Sequence, residues 1–175
     1  MNGMKATLTQ LQITIHAGSL VPSGAHSRSL RPFRVEFAAT ETDKSLRLQI
    51  DAAGPWSSVE PVTMGPEKAL WDNLHGTKVL HTDKYKYIKF SGTYRVESPT
   101  SVRVEGRLTV RDRTVPVQFS APVQAHGETV TVTGEIPIRL SDVGIAKFKA
   151  MLGTLWLEDN ATITVAVTAP ARALL

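Results

Sequence analysis

The chain has 175 residues, no cysteine and a formal net charge of +4. The length suffices for one substantial core, and the missing cysteines exclude disulfides, thiolate catalysis and cysteine-ligated zinc or iron–sulfur centres. The charge is mild and its basic residues are interleaved with acids, which points to solubility more than to a nucleic-acid partner. No linker, internal repeat or low-complexity stretch divides residues 1–175, so a single domain is expected. Met1-Asn-Gly-Met-Lys5 carries no apolar h-region, and no apolar run approaches the length of a spanning helix. The chain is therefore expected in the cytoplasm, or in the periplasm or outside the cell if a leader has been removed.

Leu11, Ile13 and Ile15 alternate with Gln10, Gln12 and Thr14, which predicts a first strand ending near Gly18, with a loop at Pro22-Ser-Gly24. The polar segment from Ala25 to Arg31 carries no pattern that assigns it. Phe33, Val35, Phe37 and Ala39 then alternate, as do Leu46, Leu48, Ile50 and Ala52, with a turn at Thr42-Asp-Lys-Ser45. These two runs predict a hairpin. Pro55, Pro61, Gly65 and Pro66 prevent a continuous ladder beyond it. From Pro66 to His75, Leu70, Trp71 and Leu74 fall at helical spacing, with proline in the first turn and Gly76 as the stop. Such a helix is expected to lay its apolar side on the sheet or over a barrel mouth.

Tyr87 to Val96 predicts a further strand, with Ile88 and Phe90 on one row and a bulge expected at Gly92. Val102, Val104, Leu108 and Val110 alternate with Arg103, Glu105, Arg107 and Thr109. Asp112-Arg113 interrupts, Val115, Val117, Phe119 and Ala121 resume, His126-Gly127 interrupts again, and Val130, Val132, Ile136, Ile138 and Leu140 follow. Breaks this short leave no room for crossover helices, so the three runs predict an antiparallel meander. Ser141-Asp142 is expected to cap a second short helix with Ile145, Phe148 and Leu152 inside and Gly153 at its end. Glu158-Asp159 is expected in a turn, and Ala161, Ile163, Val165, Val167 and Ala169 predict a last strand.

Together these elements predict an all-β fold, an eight-stranded antiparallel lipocalin-like β-barrel with one or two short helices. Closure removes the exposed edges that an open sheet would carry, and a two-sheet sandwich is the competing arrangement.

Particular segments also resemble a known family. Val104-Glu-Gly-Arg-Leu-Thr-Val110 followed by Thr114-Val-Pro-Val117 resembles the hairpin of the YceI-like lipid-binding proteins, and Ser141-Asp-Val-Gly-Ile145 resembles that family's "S-D-F-G-I" turn. Val79-Leu80, Thr82-Asp-Lys-Tyr85 and Ile88-Lys-Phe90 resemble its upstream segment. Lys86, Asp112 and Val143 depart from the pattern, standing where the family has Pro, Gly and Phe. The resemblance implies a barrel that encloses a long isoprenoid or related acyl chain, with no catalysis and no cofactor. Its walls would comprise Val35, Phe37, Leu48, Ile88, Phe90, Val104, Leu108, Phe119, Val132, Ile136, Ile163 and Val165, with the helix bearing Trp71 over an opening.

Other readings compete with this one. The same apolar rows suit a filled barrel or sandwich serving as an interaction module. They also suit a membrane barrel with its apolar rows outward, but aromatic girdles and a secretion signal are missing from the pattern. The Arg103, Arg107 and Arg111 stripe lacks interleaved aromatics for base stacking, so no nucleic-acid partner is expected. Asp72, His75, His81 and Asp83 could gather a metal, although no histidine pair has ligand spacing and none is expected. No nucleophile elbow, P-loop or dinucleotide fingerprint is present. Pairing of two copies through outer strands is a further open expectation.

Overall fold

The computed structural model describes residues 5–19, 26–59, 67–146, 149–150 and 155–174. Its strands are β1 (Thr7–Ser19), β2 (His26–Pro32), β3 (Val35–Thr40), β4 (Ser45–Asp51), β5 (Trp56–Ser58), β6 (Tyr87–Ser98), β7 (Ser101–Val110), β8 (Arg113–His126), β9 (Thr129–Arg139), β10 (Lys149–Ala150) and β11 (Leu155–Pro170). One helix, α1 (Glu67–His75), and 3-10 turns at Leu140–Val143 and Ala171–Leu174 complete the described elements.

Alternation explains most of this. In β7, Val102, Val104, Leu108 and Val110 are buried while Glu105 and Arg107 are exposed, so the apolar rows face inward. Every predicted strand is present, and the ladders are antiparallel in the order β3-β4-β6-β7-β8-β9-β11-β1-β2-β5, with β10 pairing β11 from the side. The sheet is curled into a barrel-like wall of the lipocalin-like kind. Strands β2, β5 and β10 add to the eight expected.

Two continuous stretches carry the curl. The first part of β8 pairs β7 as far as Ser101↔Pro122, and its last four residues pair β9 from Val123↔Val132 to His126↔Thr129. On the opposite side β2 runs into β3 through Phe33-Arg34, pairing β1 with its first part and β4 with its second. The β1–β2 ladder stops at Ile13↔Leu30. Among the described residues no ladder joins β3 to the first half of β1, which leaves a lateral seam in the wall.

The core is densest at one end of the strands. Leu30, Ile50, Trp56, Leu74, Leu80, Ile88, Val110, Leu140, Val143 and Leu157 form a buried cluster there, and Leu30 and Val143 are each 1% exposed. Arg111, at the tip of the β7–β8 turn with a left-handed φ of 56°, locks this end. Its guanidinium donates to the carbonyl oxygens of Val79 (3.5 Å) and Gly144 (3.2 Å) and lies 5.6 Å from the Tyr85 ring centroid.

Three expectations need correction. Among the described residues the second helix is replaced by a 3-10 turn, Leu140–Val143, closed by Gly144 at φ 82°, and Lys149–Ala150 beyond it pairs β11 as a strand. Phe148, Leu152 and Gly153 lie outside the described residues. Gly92 forms no bulge, because the register runs unbroken through Gly92↔Gly106 and shifts only between Val96 and Ser98. Glu158 and Asp159 sit inside β11 and not in a turn. Asp159 accepts hydrogen bonds from the Ser141 backbone N–H (2.8 Å) and hydroxyl (2.9 Å), which is what holds the 3-10 turn against the sheet.

Candidate functional site

Toward the other end the interior is hollow. A cavity of about 760 Å³ lies between the walls, a size typical of small-molecule sites. The reason is visible in the side chains. Phe37, Leu48, Phe90, Phe119, Val132, Ile163 and Val165 all point inward, yet each is only half-buried, because one side of it faces the cavity instead of another residue.

Glycines shape that space. Gly92 and Gly106 oppose each other in the β6–β7 ladder, and a Cβ on Gly92 would lie 2.8 Å from the Gly106 Cα. A Cβ on Gly106 would stand 2.6 Å from Phe90 Cζ, and one on Gly134 2.6 Å from Phe119 Cε2. Both rings therefore rest directly on glycine backbone. This lets the sheet bend sharply and sets two aromatic faces against the cavity.

Of the predicted wall residues, Phe37 of β3, Leu48 of β4, Phe90 of β6, Val104 and Leu108 of β7, Phe119 of β8, Val132 and Ile136 of β9, and Ile163 and Val165 of β11 line the cavity. Val35, Trp71 and Ile88 do not; they pack on the closed-end core. The helix α1 accordingly seals the closed end and is not a cover for the mouth. The predicted wall left out several lining residues. Leu11, Leu46, Val102 and Val117 share the inward parity, whereas Lys5, Ala6, Arg172, Ala173 and Leu174 come from the chain's two ends, where no period signals a cavity.

The mouth coincides with the seam. Ala38 and Thr40 point away from the interior by strand parity and are exposed, yet they line the cavity together with Lys5 and Glu41, so it opens across the free edge of β3. Tyr94 stands at this side, with the Lys44 ammonium 5.5 Å from its ring centroid. Burial, then the carboxylates of Glu41 and Asp43, push its phenol above the ordinary value, so it is neutral at physiological pH. Among the described residues no three His, Asp or Glu side chains converge as a metal-binding group. No described helix is long and apolar enough to cross a membrane.

Comparison with known proteins places this geometry. The family model of the YceI-like domain matches residues 9–169. Among solved structures, BcnA of Burkholderia cenocepacia superposes with a TM-score of 0.62 at 17% identity, over 91% of this chain and 96% of its own. The YceI protein of Campylobacter jejuni superposes with a TM-score of 0.57 at 12% identity, over 97% of this chain and 86% of its own. Identities this low carry the fold alone. No curated protein sequence matches the chain.

Proposed function

We propose that this chain, which belongs to the YceI-like family, binds and carries a long apolar chain of the isoprenoid or fatty-acyl kind inside its barrel. The observation that carries the reading is the apolar cavity of about 760 Å³, walled by inward-facing side chains that pack on one side only. The mechanism is enclosure. Each CH₂ moved from water to such walls contributes roughly 0.8 kcal/mol, so an extended tail is held without a dedicated polar partner for each segment. Part of that gain is offset by the freedom the tail loses on binding.

The work divides between the two ends. The closed end supplies stability through full burial, while the hollow end forgoes side-chain contacts and offers a wall. The aromatic faces of Phe90 and Phe119, fixed by Gly106 and Gly134, give that wall its shape. The seam between β1 and β3 supplies the route by which a chain enters and leaves. Binding is the whole activity in this reading, and no reaction is assigned to the site.

A thermal-shift series with straight-chain alcohols of increasing length tests it. The melting midpoint rises with each added pair of methylenes until the tail exceeds the cavity, because a ligand bound to the native state alone stabilises it by mass action. A midpoint that no apolar chain moves would leave the filled-core interaction module as the better account.

A further inference from the structure

The cavity wall is apolar, but its rim is not. Among the described residues Lys5, Arg47 and Arg172 line it, with Glu41 the one carboxylate side chain beside them. Lys5 leads into β1 and Arg172 sits in the 3-10 turn that follows β11. The β1–β11 ladder reaches Thr7↔Thr168, which brings the two chain ends to the same part of the mouth, and Ala6 and Ala171 pack against one buried cluster beside them. Lys5, Arg47 and Arg172 are exposed, and among the described residues none of the three is ion-paired. Glu128 lies near Arg172, since its carbonyl accepts the Ala171 N–H at 2.8 Å, but its carboxylate makes no ion pair with that guanidinium. Glu41 and Asp43 belong to the β3–β4 turn, on the Tyr94 side.

From this we infer that the mouth selects amphiphiles with an acidic head group, a carboxylate or a phosphate, over neutral ones with the same tail. The inference rests on the enclosure reading above and adds the head group to it. A tail that fills the cavity leaves its head at the rim, where Lys5 and Arg172 are long, flexible donors that reach an anion at little cost. Three cations against one carboxylate side chain leave the described part of the rim net positive, which favours an anionic head over a neutral one. Exposed charge pairs are weak and screened by salt, which fixes the size of the effect at roughly 3- to 30-fold in affinity at low ionic strength.

Calorimetric titration of the full chain with dodecanoate, dodecyl phosphate and dodecanol, at low and at high salt, tests the selection. Both anions bind more tightly than dodecanol at low salt, and the tighter of the two names the head group. High salt, or the double variant Lys5→Gln with Arg172→Gln, brings the anions down to the dodecanol level. A cooperative urea transition of the variant shows that it is folded, and the ratio of anion to dodecanol affinity is the quantity the substitutions lower. Dodecanol binding as tightly as the anions at low salt overturns the head-group inference and leaves enclosure standing. If none of the three binds, enclosure itself is wrong and the inference falls with it.

Discussion

Phe119 and Phe90 owe their positions to the absence of a methyl group. The two glycines beneath them differ in what a substitution would strike. At Gly106 a new Cβ would overlap the Ser91 backbone oxygen and lie 2.8 Å from the Gly92 Cα, and backbone in a ladder cannot step aside. At Gly134 its nearest neighbours are atoms of the Phe119 ring, the far end of a side chain that can turn toward the cavity. Gly106→Ala is therefore expected to cost about 1–3 kcal/mol in urea unfolding. Gly134→Ala should cost less stability but weaken the binding of a long-chain alcohol, because the displaced ring occupies ligand space. Equal losses of stability with unchanged binding would mean that Phe119 is not a wall of the site. Residue-level chemistry was only partly legible in the sequence. Val35 and Ile88 share the parity of Phe37 and Phe90 yet pack on the closed-end core, because a period of two reports the face of a strand and not the depth along it.

The Leu140–Val143 turn shows how an element can be held by one side chain. The Ser141 backbone N–H is the largest cause, followed by the Ser141 hydroxyl and then Arg139, in lowering the Asp159 carboxyl below its usual range. A lowered carboxylate stabilises the fold above its unfolded value, and that advantage is lost as the pH falls through the folded one. The difference in stability between the wild type and Asp159→Asn should thus be constant near neutrality and close below about pH 4. Urea titrations at a series of pH values measure it, and a gap that does not narrow at all as the pH falls below about 4 would contradict the assignment. The Arg111 lock is independent of this titration. Arg111→Ala removes two hydrogen bonds and a ring contact, for an expected loss of about 1–3 kcal/mol in the same assay. Elements were missed in the sequence for physical reasons. His26-Ser-Arg-Ser-Leu-Arg-Pro32 forms β2 although Leu30 is its lone large apolar side chain, since its register comes from β1 and not from its own pattern. The second helix was expected from Ile145, Phe148 and Leu152 at helical spacing, but Lys149 and Ala150 gain ladder partners on β11 instead.

At the scale of the whole molecule, the barrel separates stability from capacity. The hairpins, the meander and the inward rows were all readable from alternation, because a half-buried strand imposes that period on its sequence. Whether the interior is filled was not readable, since a packed wall and a cavity wall call for the same residue types. The seam was equally invisible, because it arises from the bend at Phe33-Arg34 that hands one continuous stretch from β1 to β4. The separation has a direct consequence. Leu30→Ala, at a fully buried position, should lower stability by about 2–5 kcal/mol and leave chain binding intact once the protein is folded. Leu48→Trp, on the cavity wall, should do the reverse, filling ligand space while moving the melting midpoint little. Both variants read out in paired melting and alcohol-binding experiments, and a coupled loss in each would show that the two ends are one core.

Native mass spectrometry of the purified chain, before and after incubation with a long-chain alcohol and followed by solvent extraction, tests enclosure most directly. The expected result is a one-to-one complex, either carried through purification or formed on incubation, that releases an isoprenoid or acyl compound into the solvent. A spectrum showing the bare protein mass alone in both conditions would contradict the account.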